Sequence, residues 1–166
     1  MVADRGSRHG GVTQGLWFRD RQAWRLIVRG YLPWLAALNL TWEVAQLPLY
    51  TLWTRAPPAG IAFAVAHCTA GDLLIGSAAL AIVLMLTRSA ALVGWKWARI
   101  SSCTALIGVV YTVFSEWTNT TLFRWAYSEL MPTIVLGATE VGLSPLLQWL
   151  VVPPLSLYLS RRRAFA

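Results

Sequence analysis

The sequence predicts an all-α, polytopic membrane protein: four transmembrane helices with both termini on the cytoplasmic side. Three observations lead there. Apolar residues make up 57% of the 166-residue chain and charged ones only 13%, against about 25% charged in a soluble domain, so too little charge remains to cover a water-facing surface. The apolar residues gather in four runs, each close to the ~20 residues a helix needs to cross a bilayer. The basic residues cluster at the ends of those runs, mostly on one side of them.

The net charge of +7 belongs to the same pattern. Arginines at span ends point to topology and lipid headgroups, whereas a nucleic-acid footprint would line one binding face. No nucleic-acid motif is present, and no nucleic-acid partner is expected.

Residues 1–14 (MVADRGSRHGGVTQ) are Gly-rich and polar, the composition of a disordered cytoplasmic tail. In residues 15–30, Trp17, Trp24, Ile27 and Val28, with Tyr31 beyond, recur at helical spacing, while Arg21, Arg25 and Arg29 form an i, i+4 stripe. That pattern predicts an amphipathic interfacial helix, or a cytoplasmic extension of the first span, acting as an anchor. A cleavable leader is not expected, because the first apolar stretch follows many arginines and is interrupted by Asn39, Glu43 and Gln46.

The transmembrane domain occupies residues 31–160. Its spans run from about Tyr31 to Tyr50, Gly60 to Leu86, Ile100 to Thr118 and Gly142 to Leu159, with Pro57-Pro58 breaking the chain after the first. Residues 119–141 mix aromatic, charged and apolar side chains around Pro132 and are expected to form an interfacial or partly re-entrant loop. Residues 161–166 are a basic cytoplasmic tail. Arg5, Arg8, Arg19, Arg21, Arg25 and Arg29 precede span one, Arg88, Lys96 and Arg99 separate spans two and three, and Arg161, Arg162 and Arg163 follow span four. Only Arg55 and Arg124 fall on the other side, so both termini are expected in the cytoplasm and the chain in a bacterial inner membrane. Trp34, Trp95, Trp97 and Tyr158 would belt the inner interface, and Tyr50, Trp53, Trp117 and Trp125 the outer one.

Three carboxylates, Glu43, Asp72 and Glu116, lie inside these apolar runs. Each costs roughly 2.5–3.5 kcal/mol at the centre of an inserted helix, so such groups turn towards a bundle interior or an aqueous cavity. Asn39, Glu43 and Gln46 share one stripe of span one. Span two brings His67 and Asp72, span three brings Thr112, Glu116 and Asn119, and span four brings Ser144 and Gln148 to a similar depth. This convergence points to a polar site facing the outer compartment. The amides Asn39, Gln46, Asn119 and Gln148 serve equally well as interhelical glue, worth about 0.6 kcal/mol each. Glu43 and Asp72 are the stronger proton-exchanging candidates, and Glu116, near the interface, stands at even odds with simple hydration.

His67 reads first as a packing residue, or else as a partner of Glu43 in an acid/base couple across helices. A metal site from His67, Cys68, Glu43 and Asp72 lacks any recognised ligand spacing, so no metal and no cofactor is expected. Cys68 and Cys103 lie too far apart in depth for a disulfide. Ala62, Ala66 and Ala70, followed by Gly71, predict a face of span two that packs closely on a neighbour. The sequons at Asn39 and Asn119 fall in or at the end of a span and are not expected to be modified. Trp42-Glu43 with Gln46, and Glu116-Trp117 with Asn119, form a weak echo between spans one and three.

In size, crossing number, orientation and outer-facing carboxylates, the chain resembles the lipoprotein signal peptidases, membrane aspartyl proteases with two catalytic aspartates. That family sets its aspartates in Asn- and Gly-containing signatures of its later spans. Here the one intramembrane aspartate is Asp72, in span two. The resemblance is therefore architectural and transfers no residue role.

The expected function is a buried pocket that binds or transforms a small amphiphile or lipid-derived substrate from the outer leaflet. Glu43 and Asp72 would exchange protons, with His67 assisting and Glu116 nearby. Asn39, Gln46, Asn119 and Gln148 would orient polar groups, and Trp42, Trp117 and Trp149 would form apolar walls. Membrane lipids are the expected surroundings. The alternative is a non-enzymatic accessory subunit with a membrane-protein partner, or a small proton-coupled carrier. An aqueous channel fits less well, since the inner half carries almost no polar lining.

Overall fold

The computed structural model describes residues 16–122, 126–137 and 139–164 of the chain. The expected tail at 1–14 lies outside the described residues.

Asp20 starts the first helix. One carboxylate oxygen accepts the backbone N–H of Gln22 at 2.9 Å, and the other accepts that of Leu92 at 2.8 Å, so a single residue caps α1 (Arg21–Leu26) and ties it to the distant 3₁₀ turn Leu92–Gly94. Helical backbone then runs unbroken from α1 through a π-helical turn, Ile27–Tyr31, into α2 (Leu32–Gln46). Ala23, Leu26, Ile27 and Tyr31 of this rod are buried, while Trp24 and Val28 are turned outward. Ile27 and Tyr31 of the expected apolar stripe thus face inward and Trp17 packs against the core, while Trp24 and Val28 of the same stripe do not. The π turn widens the helix, so faces on either side of it no longer follow a 3.6-residue register.

A 3₁₀ turn at Leu47–Leu49 and the short α3 (Leu52–Arg55) lead to α4 (Pro58–Leu86). Pro58 occupies the first helical position, where its missing N–H leaves no intrahelical bond unmade. At the other end, Ser89 N–H donates to Leu84 C=O at 3.0 Å and Arg88 N–H to Met85 C=O at 3.1 Å. This is a Schellman closure with arginine, φ 49°, in the left-handed position usually taken by glycine. α5 (Trp97–Thr121) and α6 (Leu143–Ala164) complete the helices, and α6 stays helical through Pro153-Pro154 and the arginines at 161–163.

α2 packs on α4 and α6, and α5 packs on the same two, so the four helices close into an up-and-down ring. α4, α5 and α6 are long and apolar enough to cross a membrane. Their outer faces carry Phe63, Leu74, Leu86, Leu106 and Phe114, each more than half exposed, as a lipid-facing surface would. Inside, Tyr31, Leu35, Leu80, Leu84, Ile100 and Leu157 form a dry core towards the end where α1 begins. The Tyr31 hydroxyl donates to Gly76 C=O at 3.1 Å.

Close approach occurs at glycines other than the one expected. A Cβ on Gly108 would stand 2.0 Å from the Trp149 ring, and one on Gly76 would stand 2.8 Å from Leu35. Ala62, Ala66 and Ala70 are exposed instead, and nothing lies within 4 Å of a Cβ built on Gly71. Spacing every four residues marks a face, but the position of the neighbouring helix decides whether that face is used.

The all-helical expectation also needs amending. Within the segment read as a loop, β1 (Thr133–Leu136) pairs antiparallel with β2 (Thr139–Gly142), Thr133 opposite Gly142. The β-branched run Thr133-Ile134-Val135 suits an extended strand, and Gly137, at φ 66°, supplies the left-handed residue that short hairpin turns use. Just before it, residues 126–128 run beside 49–51: Thr51 N–H donates to Ala126 C=O at 3.0 Å and Ser128 N–H to Leu49 C=O at 2.9 Å. This strap joins the ends of α2 and α5 to the start of α6.

Candidate functional site

All four long helices deliver polar side chains to the end of the ring opposite the dry core. There they enclose a cavity of about 420 Å³. Asn39, Glu43 and Gln46, the stripe on α2, are buried together. Facing them from α6, the buried Gln148 amide has Nε2 2.8 Å from Asp72 Oδ2, 2.9 Å from Asn39 Oδ1 and 3.2 Å from Glu43 Oε1. An amide nitrogen carries two hydrogens, so three oxygens compete for them.

Glu43 is the hub. Its Oε1 also accepts from Gln46 Nε2 at 2.9 Å, Gln46 Oε1 accepts the Ser144 hydroxyl at 2.9 Å, and Trp42 Nε1 donates to Ser144 Oγ at 3.3 Å. The carboxyl groups of Glu43 and Asp72 meet at one donor, each within hydrogen-bonding distance of Gln148 Nε2. Two carboxylates gathered around one amide repel each other, and a proton on either one relieves that repulsion. No Lys or Arg lines the cavity among the described residues, so the proton is the means of neutralisation at hand.

Glu116 reaches the same cavity from α5 and is buried. The Tyr127 phenol from the strap donates to Glu116 Oε2, and its oxygen accepts the Gly142 N–H at 2.9 Å. Burial, followed by the neighbouring Glu116 carboxyl, pushes the Tyr127 phenol well above its ordinary range, which keeps it a donor across physiological pH. The strap is thereby fastened to the cavity wall.

Of the residues singled out from the sequence, Glu43, Asp72, Glu116, Gln46, Gln148, Asn119, His67 and Trp149 line the cavity. Asn39 sits behind Gln148, with its Nδ2 buried and without a partner among the described residues. The Asn119 amide is turned back on its own helix, donating to Ser115 C=O at 2.8 Å. His67 is exposed at the rim, its ring stacked on Phe63 with centroids 5.6 Å apart, and it makes no hydrogen bond to Glu43. Five residues separate His67 from Asp72, about 140° around α4, so a helix that aims Asp72 inward turns His67 aside.

Two of the three expected apolar walls lie elsewhere. Trp117 follows Glu116 and is rotated outward, 49% exposed, while Trp42 serves the hydrogen-bond network through Ser144. Only Trp149 forms a wall, pressed on Gly108. Tyr50, Tyr111 and Tyr127 were missed by sequence reasoning. Tyr50 and Tyr127 pair across the strap with ring centroids 5.8 Å apart. The one available signal was a tyrosine in each of two polar segments flanking the spans, and it says nothing about their meeting.

Cys68 and Cys103 are free thiols, Cys68 on the cavity wall and Cys103 against the dry core. Among the described residues no three His, Cys, Asp or Glu side chains converge as metal ligands. No family model matches the chain, and neither a curated protein nor a solved structure is significantly similar to it.

Proposed function

We propose that the protein is a four-crossing protein of the bacterial inner membrane, both termini cytoplasmic, whose cavity opens towards the outer leaflet. There it binds or transforms a small amphiphile or lipid-derived substrate by carboxyl acid/base chemistry. One observation carries the reading: Gln148 bridging the Glu43–Asp72 pair at the wall of a partly apolar cavity. Glue between helices does not need two carboxyl groups gathered around one amide. Such a pair can give a proton to a substrate and take one back, each member serving in turn as acid and base.

The arginine asymmetry supports the orientation, and the continuous helix from Arg21 to Gln46 supports a first crossing beside the three longer ones. The lining supports the substrate class. Three carboxyl groups with no Lys or Arg among the described residues of the lining favour a ligand that donates hydrogen bonds or carries positive charge, such as an alcohol or amine head on an apolar body. Trp149, Leu47 and Ile75 would hold that body. His67, at the rim, would pass protons between the pair and water.

The test uses purified protein in a mild detergent, with co-purifying small molecules identified by mass spectrometry. Glu43→Gln and Asp72→Asn preserve shape and most hydrogen bonds but abolish proton exchange at the substituted group. Both variants should accumulate and melt like the parent, yet lose the bound molecule or its turnover. Full cellular function in both variants would sink the reading. It would instead favour the alternative of an accessory subunit, which draws support from Leu130 and Val135, both 69% exposed beside and on the hairpin.

A further inference from the structure

At the opposite end of the ring lies a second cleft, of about 490 Å³, between the α1–π-turn rod and the last turn of α6. Arg25, Arg29 and Arg163 line it, with Gln22 beside them and no acidic residue among the described residues. We propose that this cleft binds a phosphate group, as carried by the headgroup of an anionic phospholipid.

The cleft is built by the fold, beyond a mere excess of arginine near a membrane. Its floor is the contact of Gly30 with Ser160, where a Cβ on Gly30 would stand 2.9 Å from Ser160 Cβ. That approach draws the α1–π-turn rod against α6 and sets Arg25 and Arg29 opposite Arg163. Asp20, which caps the start of α1, is committed to the N–H groups of Gln22 and Leu92. None of the three arginines has an ion-pair partner among the described residues. Three guanidinium groups around one concavity repel one another, and an anion seated between them reverses the sign of that interaction.

Arg163 lies over the Trp34 ring, its Cζ 4.9 Å from the ring's centre. Arg163 has no ion-pair partner among the described residues, so its N–H groups are open to the paired hydrogen bonds that a guanidinium makes with phosphate. Arg161 lies in the same way over Trp97, 5.3 Å away, so this end also carries the aromatic belt expected at headgroup level. Basic clefts between transmembrane helices at that level suit phospholipid headgroups. The phosphate could equally arrive as the free anion, and the test separates the two.

The full-length protein in a neutral detergent is titrated with dihexanoyl phosphatidylglycerol, dihexanoyl phosphatidylcholine and inorganic phosphate, and thermal unfolding is followed. The expected result is a saturable rise in Tm with phosphatidylglycerol and none with phosphatidylcholine. Arg25→Gln combined with Arg29→Gln should weaken the apparent affinity by about tenfold or more, while Arg161→Gln, outside the cleft, should not. An equal, saturable rise with inorganic phosphate, lost in the same double variant, would support the site with the free anion as its ligand. Should the double variant fail to accumulate, Arg29→Gln alone carries the comparison and should still weaken binding. The proposal is overturned if neither phosphatidylglycerol nor phosphate gives a saturable rise, if both lipids act alike, or if the arginine variants titrate like the parent.

Discussion

The side-chain amide of Gln148 reaches across the bundle to Asp72, placing its nitrogen 2.8 Å from Oδ2 and joining α6 to α4 through residues 76 positions apart. The same nitrogen contacts Glu43 on α2, so one side chain ties three of the four long helices around the carboxyl pair. Its role is therefore set by shape and by donor supply, and it differs from that of an ordinary interhelical amide.

Replacing Gln148 by Leu should cost more than the ~0.6 kcal/mol of a typical intramembrane hydrogen bond. It leaves buried oxygens on two carboxyl groups short of a donor, a loss of about 1–3 kcal/mol. Asn39→Leu removes only an acceptor whose own Nδ2 has no partner among the described residues, and should fall near the smaller figure. Thermal unfolding of the two variants in the same detergent makes the comparison. Equal melting temperatures would mean that Gln148 does not hold the pair.

Gly108→Ala should destabilise the protein by about 1–3 kcal/mol, because its Cβ would meet the Trp149 ring at 2.0 Å. The ring would be driven towards the cavity, so bound ligand should be lost as well, and tryptophan emission should shift. Gly71→Ala on α4, with open space around it, should be neutral or stabilising by up to about 1 kcal/mol. A harmless Gly108→Ala would disprove the tight contact.

Tyr127→Phe removes the donor to Glu116 and the acceptor of the Gly142 N–H together. Hydrogen exchange at Gly142 should accelerate about tenfold, matching a local loss near 1.4 kcal/mol. Exchange at Gly76, in the dry core, should not change. Unaltered exchange at Gly142 would show that the strap is held by its backbone pairing with residues 49–51 alone.

The two thiols report on sidedness. Cys68 lies on the cavity wall and Cys103 against the core near the other end. In intact cells a small membrane-impermeant thiol reagent should modify Cys68, and Cys68→Ser should abolish the labelling. Labelling confined to Cys103 would reverse the proposed orientation. Cysteines introduced near Arg55 and Lys96 extend the same test, the first expected outside and the second inside.

What the sequence determined by itself is what depends on local composition and on position along an axis. Low charge and long apolar runs predict α4 and α5 nearly to their ends, whereas α6 runs past the expected Leu159 into the basic tail, to Ala164. Pro57-Pro58 marks the break, and the order of polar residues within each run brings Glu43, Asp72, Glu116 and Gln148 to one level. Depth follows from counting residues, because helical rise is constant. Rotation about the axis and the company each side chain keeps were decided only by the tertiary structure. The π turn shifts the inward face of the first rod by an amount no 3.6-residue period anticipates. Asp72 is aimed at Gln148 while His67, five residues away, turns to the rim. The alanine stripe of α4 remains uncovered, whereas Gly108 is filled by Trp149. The strap brings Tyr127 to Glu116 across a segment whose composition suggested only a loop. Each of these depends on which helix lies opposite, and a helical period is the same whichever neighbour it meets. The carboxyl groups could thus be found from the chain, but their meeting under one amide could not.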